Sequence, residues 1–297
     1  MKALDDFLTE AQKDNLVINF LQIFQGDQKI GEYQRIATKT RLNVYSISKS
    51  VTSLAAGIAL KEGLFTLDDQ IGQYFAEYDL SGSKAKIGKI KIKNLLTMTC
   101  GLADPLFFLD DPGRYQIKDW LAYFFNSRFS DQPGEVFKYT NFGPYVLGCI
   151  IERLTGEKLK DYLTPRLFTK LAIGNPNWLE CPKQHTMAAS ALFLTIDELS
   201  RLGLLLLNNG KYHGQQIVSA DYVKAATKNQ LQKVNEDAKN GYGYGFWIND
   251  DLVSYRAEGK YGQFIFVLPQ KKLMVTCQAF DDRDVYQFVW DKLIEKL

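Results

Sequence analysis

Residues 44–75 read VYSISKSVTSLAAGIALKEGLFTLDDQIGQYF. Val51, Leu54, Ala55, Ile58 and Ala59 recur at three- and four-residue spacing, which predicts a helix, and Gly63 closes it. At its start, Ser46-Ile47-Ser48-Lys49 puts a hydroxyl and an amine at i and i+3, on one helix face. A serine hydroxyl is a weak nucleophile and needs an adjacent base. Lysine can be that base only when its amine is largely neutral, which requires desolvation or neighbouring positive charge. Val44, Ile47, Val51 and Ala55 supply an apolar setting, and the helix N-terminus favours negative charge developing near Ser46. The same spacing recurs at Ser81-Gly-Ser-Lys84 and Ser83-Lys-Ala-Lys86, in a Gly-containing loop with no apolar helix to bury the amine. The bland reading of Ser46 and Lys49 is a capping serine beside a snorkelling lysine.

Upstream of this helix, Leu16 to Phe24 and Gly31 to Ala37 read as a β-hairpin across Gly26-Asp27. Before them, MKALDDFLTEAQKDN reads as an amphipathic helix, with acidic residues where a signal peptide would carry its apolar core. The expected location is therefore the cytoplasm. Downstream, helical spacing marks Ile117 to Asn126, Pro144 to Thr155, Leu159 to Leu171 and Thr195 to Leu207. Tyr242 to Ile248, Leu252 to Ala257, Gln263 to Leu268 and Leu273 to Gln278 read as successive antiparallel strands, and Asp284 to Leu297 as a closing helix. Strands at both ends with helices between predict a mixed α+β fold: an antiparallel sheet flanked by helices, with an inserted all-helical lobe. The expected sheet-containing lobe is 1–64 with 208–297, and the mainly helical lobe is 65–207. A cleft between such lobes is where ligand sites usually form.

Composition narrows the function. Lys plus Arg number 36 against 34 Asp plus Glu, a balance with no field to attract nucleic acid or an acidic membrane. The one basic run, Lys84 to Lys93, alternates Lys with Ile and reads as a half-buried strand. Cys100, Cys149, Cys181 and Cys277 are widely spaced, so reduced, buried thiols are expected. His185 and His213 are the only histidines, and both read as exposed loop residues, which leaves a Ser-His-Asp triad poorly supported. There is no G-x-S-x-G elbow, phosphate loop, H-E-x-x-H or well-placed dinucleotide fingerprint. The expectation is chemistry without metal, nucleotide or other cofactor.

A second element is Tyr139-Thr140-Asn141, in a loop after Pro133-Gly134 and directly before an apolar helix. A phenol beside an amine can relay protons, as base to the nucleophile and acid to the leaving group. The Asn141 amide offers a donor and an acceptor. Alone, Tyr139 reads as a packed aromatic.

Together these segments resemble the serine β-lactamase and penicillin-binding-protein superfamily, above all its class C β-lactamase and esterase-like branch. Residues 44–75 match its nucleophile helix and the turn after it. IKIKNLLTMTCGL looks like its "i-LLtHtSGL" segment, with Met98-Thr99-Cys100-Gly101 for H-T-S-G. PGEVFKYTNFGPYVLGCIIERLTGEKLKDYLTPRLFTKLAI looks like its Y-x-N region, and MAASALFLTIDELSRLGLLLLNNGKYHGQQIVS like its "aaGGl-sTa-DlarfgqllLngG" stretch. With GYGYGFWI and the final strands, the likeness covers nearly the whole chain in order.

The resemblance implies an active site between the sheet and the helical lobe. It assigns Ser46 as the acylated nucleophile, Lys49 as its lysine, and Tyr139 with Asn141 as the second motif. For the third motif, usually Lys/His-Thr/Ser-Gly on the strand edging the cleft, the best match is Lys260-Tyr261-Gly262. Tyr261 then replaces the small hydroxyl residue that helps to recognise a β-lactam carboxylate. In the alternative G-H-G-G-Q alignment, the backbone N–H of Gln263 joins that of Ser46 in the oxyanion hole, and a one-residue shift gives that role to Gly262. Phe107, Phe108, Tyr115 and Trp120 on the helical side, and Tyr244, Tyr261 and Phe264 near the sheet, are the expected shapers of the pocket. The expected activity is an esterase or amidase on a small ester or amide. The alternatives are a β-lactamase or D-alanyl-D-alanine peptidase, a transpeptidase, and a binding or sensing protein of the same fold. Oligomeric state is left open.

Overall fold

The computed structural model describes residues 1–37, 39–104 and 113–297. Helix α1 (Lys2–Lys13) leads into a hairpin of β1 (Ile18–Gln25) and β2 (Gln28–Gln34). Far along the chain, β3 (Trp247–Ile248), β4 (Tyr255–Gly259), β5 (Gln263–Leu268) and β6 (Leu273–Ala279) complete a six-stranded sheet in the order β2-β1-β6-β5-β4-β3. Every pairing is antiparallel, with Leu21 opposite Cys277 in the β1–β6 ladder that joins the two ends of the chain. This is the expected mixed fold.

Both faces of the sheet are covered, so its central strands read as nearly continuous apolar runs rather than clean alternations. In β5, Phe264, Phe266 and Leu268 face a core shared with Leu4 and Phe7 of α1 and with Val289 and Trp290 of the closing helix. Ile265 and Val267 face the larger core on the opposite side. This alternation is the period of two that a pleated strand imposes.

The larger core is organised around three helices: α2 (Ile47–Lys61), α3 (Phe142–Thr155) and α4 (Ile196–Leu207). A fifth helix, α5 (Val285–Lys292), closes the chain against the outer face. Helix α2 is buried from Ile47 to Ala59, its surface made of apolar and small hydroxyl residues apart from Lys49. Its buried hydroxyls are each hydrogen-bonded, Ser50 Oγ to Gly245 O at 2.6 Å, Thr52 Oγ1 to Ala188 O at 2.7 Å and Ser53 Oγ to Tyr222 OH at 2.9 Å. These bonds tie the helix to segments on both sides of it. The four cysteines are free and buried.

Three expectations shift. Lys84 to Lys93 is not a strand: residues Gly82–Lys84 form a 3₁₀ turn, Ala85–Gly88 and Ile92–Leu96 are short helices, and Ile87, Ile90 and Ile92 all turn inward. Tyr242 to Ile248 contributes only Trp247 and Ile248 to the sheet, because Gly245 turns the chain at φ 81°. Helix α4, expected on the helical side of a boundary at 207, packs on the sheet. Gly203 makes this possible, since a Cβ there would lie 2.7 Å from Met274 Sδ and 3.0 Å from Ile265 Cγ2. No helix among the described residues is long and apolar enough to cross a membrane.

Candidate active site

Ser46 stands at the N-cap of α2. Tyr45 before it holds φ at 46°, a left-handed conformation that bulky residues rarely adopt. Its amide donates to Asn43 Oδ1 at 2.8 Å, and its carbonyl accepts from Ser48 Oγ at 2.6 Å. This sharp entry delivers Ser46 to the floor of a cavity of about 380 Å³ between the sheet edge and the helical side.

One turn into α2, Lys49 is 2% exposed. Its Nζ lies 2.9 Å from Ser46 Oγ, 2.7 Å from Asn141 Oδ1 and 2.9 Å from the Ala189 carbonyl. Burial, aided by the charge of Arg114, pulls the amine from its ordinary value down to about 7. A neutral amine has two N–H bonds and one lone pair. Asn141 Oδ1 and the Ala189 carbonyl only accept, so they take the two hydrogens and leave the lone pair facing the Ser46 hydroxyl.

Tyr139 completes the cluster. Its hydroxyl is hydrogen-bonded to the Ser46 side chain, and its ring centroid lies 4.9 Å from Lys49 Nζ. Burial pushes the phenol well above its ordinary value, the bond to Ser46 opposes that, and the charge of Glu258 adds to it. Tyr139 therefore stays protonated at neutral pH and is a proton donor in the resting site. Trp247 packs against it with ring centroids 5.2 Å apart.

Ser46, Lys49, Tyr139 and Asn141 thus meet in one place. The third-motif assignment moves. Lys260 lines the cavity but is exposed at its rim, with Nζ 5.3 Å from the Tyr261 ring centroid. The Tyr261 ring packs edge-on against Tyr45 at 5.1 Å and tilted against Phe280 at 5.2 Å, measured between centroids. Gly262 is in the β4–β5 turn at φ 81°, seated on Ala279 and Val285. Gln263 is an interior ladder residue paired to both Gly259 and Gln278, and its side chain donates to the Ala279 carbonyl at 2.7 Å. Neither Gly262 nor Gln263 opens on the cavity. The residue that approaches Ser46 is Gly259: a Cβ there would sit 2.2 Å from the Val44 carbonyl and 3.2 Å from the Ser46 amide nitrogen. The strand edge facing the nucleophile is therefore Glu258-Gly259-Lys260, two residues earlier than expected.

Of the expected pocket aromatics, Phe107, Phe108 and the side chain of Tyr115 lie outside the described residues. Trp120 lines a neighbouring cavity that shares Tyr45, Arg114 and Ser190 with the first. Tyr244 opens on a different depression, and Phe264 faces the core on the far side of the sheet. The buried Arg114, the Ala189 carbonyl, Ser190, Trp247 and Glu258 were not singled out from sequence. Nothing periodic marks Arg114. Away from the cavity, His185 Nδ1 pairs with Glu152 Oε2 at 2.7 Å, and His213 occupies a turn at φ 45°. No group of three or more His, Cys, Asp or Glu among the described residues is placed to hold a metal ion.

Known proteins resemble this chain in sequence and in fold. An uncharacterized protein of Alkalihalophilus pseudofirmus is 26% identical over 281 residues, covering 83% of this chain and 75% of that protein. Protein flp of Staphylococcus aureus is 24% identical over 147 residues, 49% of this chain but only 29% of its own length. Among solved structures, a candidate 6-aminohexanoate-dimer hydrolase from Bacillus anthracis superposes with a TM-score of 0.82 at 19% identity, covering 97% of this chain and 80% of that one. The model of the family described as Beta-lactamase matches residues 20–279. This chain therefore belongs to the beta-lactamase family of serine hydrolases.

Proposed function

We propose that this chain cleaves a small ester or amide through an acyl-enzyme on Ser46. The observation that carries the reading is the buried Lys49 amine, pulled to about 7, whose Nζ lies 2.9 Å from Ser46 Oγ. In the first half-reaction Lys49 takes the Ser46 proton as Oγ bonds to the substrate carbonyl carbon. The backbone amides of Ser46 and Lys260 receive the oxyanion. As the tetrahedral intermediate collapses, the Tyr139 hydroxyl gives its proton to the departing alcohol or amine, and the Lys49 ammonium restores the phenol. Water then repeats the cycle on the acyl-enzyme and releases the acid.

The esterase or amidase reading is favoured over β-lactam or D-alanyl-D-alanine cleavage by the strand edge. Glu258 stands beside Gly259, next to where the family carries a small hydroxyl, and its carboxylate repels the carboxylate that such substrates bear. The test is a fluorophosphonate probe read by intact-protein mass spectrometry, with p-nitrophenyl butyrate hydrolysis in parallel. The expected result is one adduct on Ser46 and ester turnover, both lost in Ser46→Ala. Turnover that survives in Ser46→Ala, or a protein inert to probe and ester alike, would overturn the hydrolase reading. Inertness would leave the binding-protein alternative.

A further inference from the structure

Among the described residues the cavity lining carries one carboxylate, Glu258, alongside Arg114 and Lys260. Glu258 lines the cavity with Ser46, Tyr139 and Trp247. A Cβ on its neighbour Gly259 would lie 3.2 Å from the Ser46 amide nitrogen. The charge of the Glu258 carboxylate acts on the Tyr139 hydroxyl, which is hydrogen-bonded to the reacting serine.

This carboxylate is held rather than loose. Oε2 accepts from Arg256 Nε at 2.6 Å. Arg256 is fixed in turn by Asn249 Oδ1 at 3.2 Å and the Ile248 carbonyl at 3.3 Å, with its guanidinium carbon 3.7 Å from the Tyr286 ring centroid. Oε1 takes no donor from the described residues, and the side chain keeps 32% of its exposure. Beside it are the rings of Trp247 and Tyr139, whose faces attract cations. Both rings already serve cations of the protein itself: Lys49 Nζ lies 4.9 Å from the Tyr139 centroid and the Arg256 guanidinium carbon 5.8 Å from the Trp247 centroid, while Arg114 and Lys260 line the same cavity.

We infer that Glu258, with Trp247 and Tyr139, is a subsite for a positively charged nitrogen on the substrate, so that the preferred ester or amide carries an ammonium group near its scissile carbonyl. The inference rests on the hydrolase reading above and names the substrate class of that same site. A preformed carboxylate oxygen beside aromatic faces rewards an ammonium, leaves a neutral isostere indifferent and repels a carboxylate.

The test uses three ligands of one shape: benzylamine, benzyl alcohol and phenylacetate, at a pH where the amine is charged. Each competes with p-nitrophenyl butyrate hydrolysis, and each is also titrated calorimetrically, which reads binding whether or not the ester turns over. The expected order is benzylamine tightest, by roughly tenfold over the alcohol at low salt, with phenylacetate weakest and the differences shrinking at high salt. Glu258→Gln should bring the amine and alcohol within about twofold of each other, and Glu258→Asp should keep the original order. Equal binding of the three ligands, or an order that survives Glu258→Gln in a variant with native circular dichroism, would overturn the inference. Absent ester turnover with the calorimetric order intact would instead count against the hydrolase reading and leave the cation subsite standing.

Discussion

At the scale of single residues, the chemistry turns on where protons rest. Lys49 at about 7 predicts that kcat/KM rises with pH through that value, since the base must be neutral. Desolvation is the larger cause and Arg114 the second. Arg114→Gln should therefore move the acid limb of the pH–rate profile upward, by roughly half a unit to one unit, without abolishing it. A limb that stays in place would remove Arg114 from the account. The same shift links to stability. The unfolded chain returns Lys49 to an ordinary value of 10.5, so between about 7 and 10.5 it holds a proton that the folded chain lacks. The contribution of Lys49 to stability accordingly rises with pH across that window and is lowest below it. Tyr139→Phe removes the donor to the leaving group while keeping the ring against Trp247. It should lower kcat by about 10²–10⁴-fold with little change in thermal midpoint, as steady-state kinetics and calorimetry would read.

At the scale of elements, the site depends on how closely β4 runs past the start of α2. Gly259→Ala places a methyl 2.2 Å from the Val44 carbonyl, a backbone atom that cannot step aside as a side chain would. Strand and helix must separate. The expected cost is about 1–3 kcal/mol of stability from overpacking, together with a fall in kcat of at least about tenfold as β4 moves away from the proposed oxyanion site at the Ser46 amide. Chemical denaturation and turnover on the same sample would check both; unchanged kcat would mean that β4 does not shape the oxyanion site. Helix α2 itself was legible as a helix from its apolar spacing, and Ser46 and Lys49 from their place on it. The end of β4 was not legible. Glu258-Gly259-Lys260-Tyr261-Gly262 offers a glycine at two positions, and only the β4–β5 register, with Gly259 opposite Gln263, decides which one lies against the nucleophile.

At the scale of the whole molecule, the sheet divides two cores, and the site belongs to one of them. Phe7 of α1 is fully buried against Phe288 on the outer face, 5.6 Å between ring centroids, remote from Ser46. Phe7→Ala should cost about 3–5 kcal/mol, lowering the denaturation midpoint while kcat measured well below it stays within about twofold of the parent. A large fall in kcat with the fold intact would show that the outer core transmits to the site.

What the sequence by itself determined is local or periodic. The amine and hydroxyl of Ser46 and Lys49 share a face because a helix repeats every 3.6 residues. The paired terminal strands follow from apolar runs at both ends of the chain, and Tyr139 with Asn141 was marked by the resemblance of its segment to the family's second motif. What only the tertiary structure decided depends on approach between distant segments. The descent of Lys49 to about 7 needs the burial that the packed core supplies, the lone-pair direction needs Asn141 and Ala189 brought from 92 and 140 residues away, and the approach of Gly259 to Ser46 needs the register of β4. Short-range periodicity constrains side chains within an element, whereas desolvation and charge at the site are sums over neighbours that the chain order does not contain.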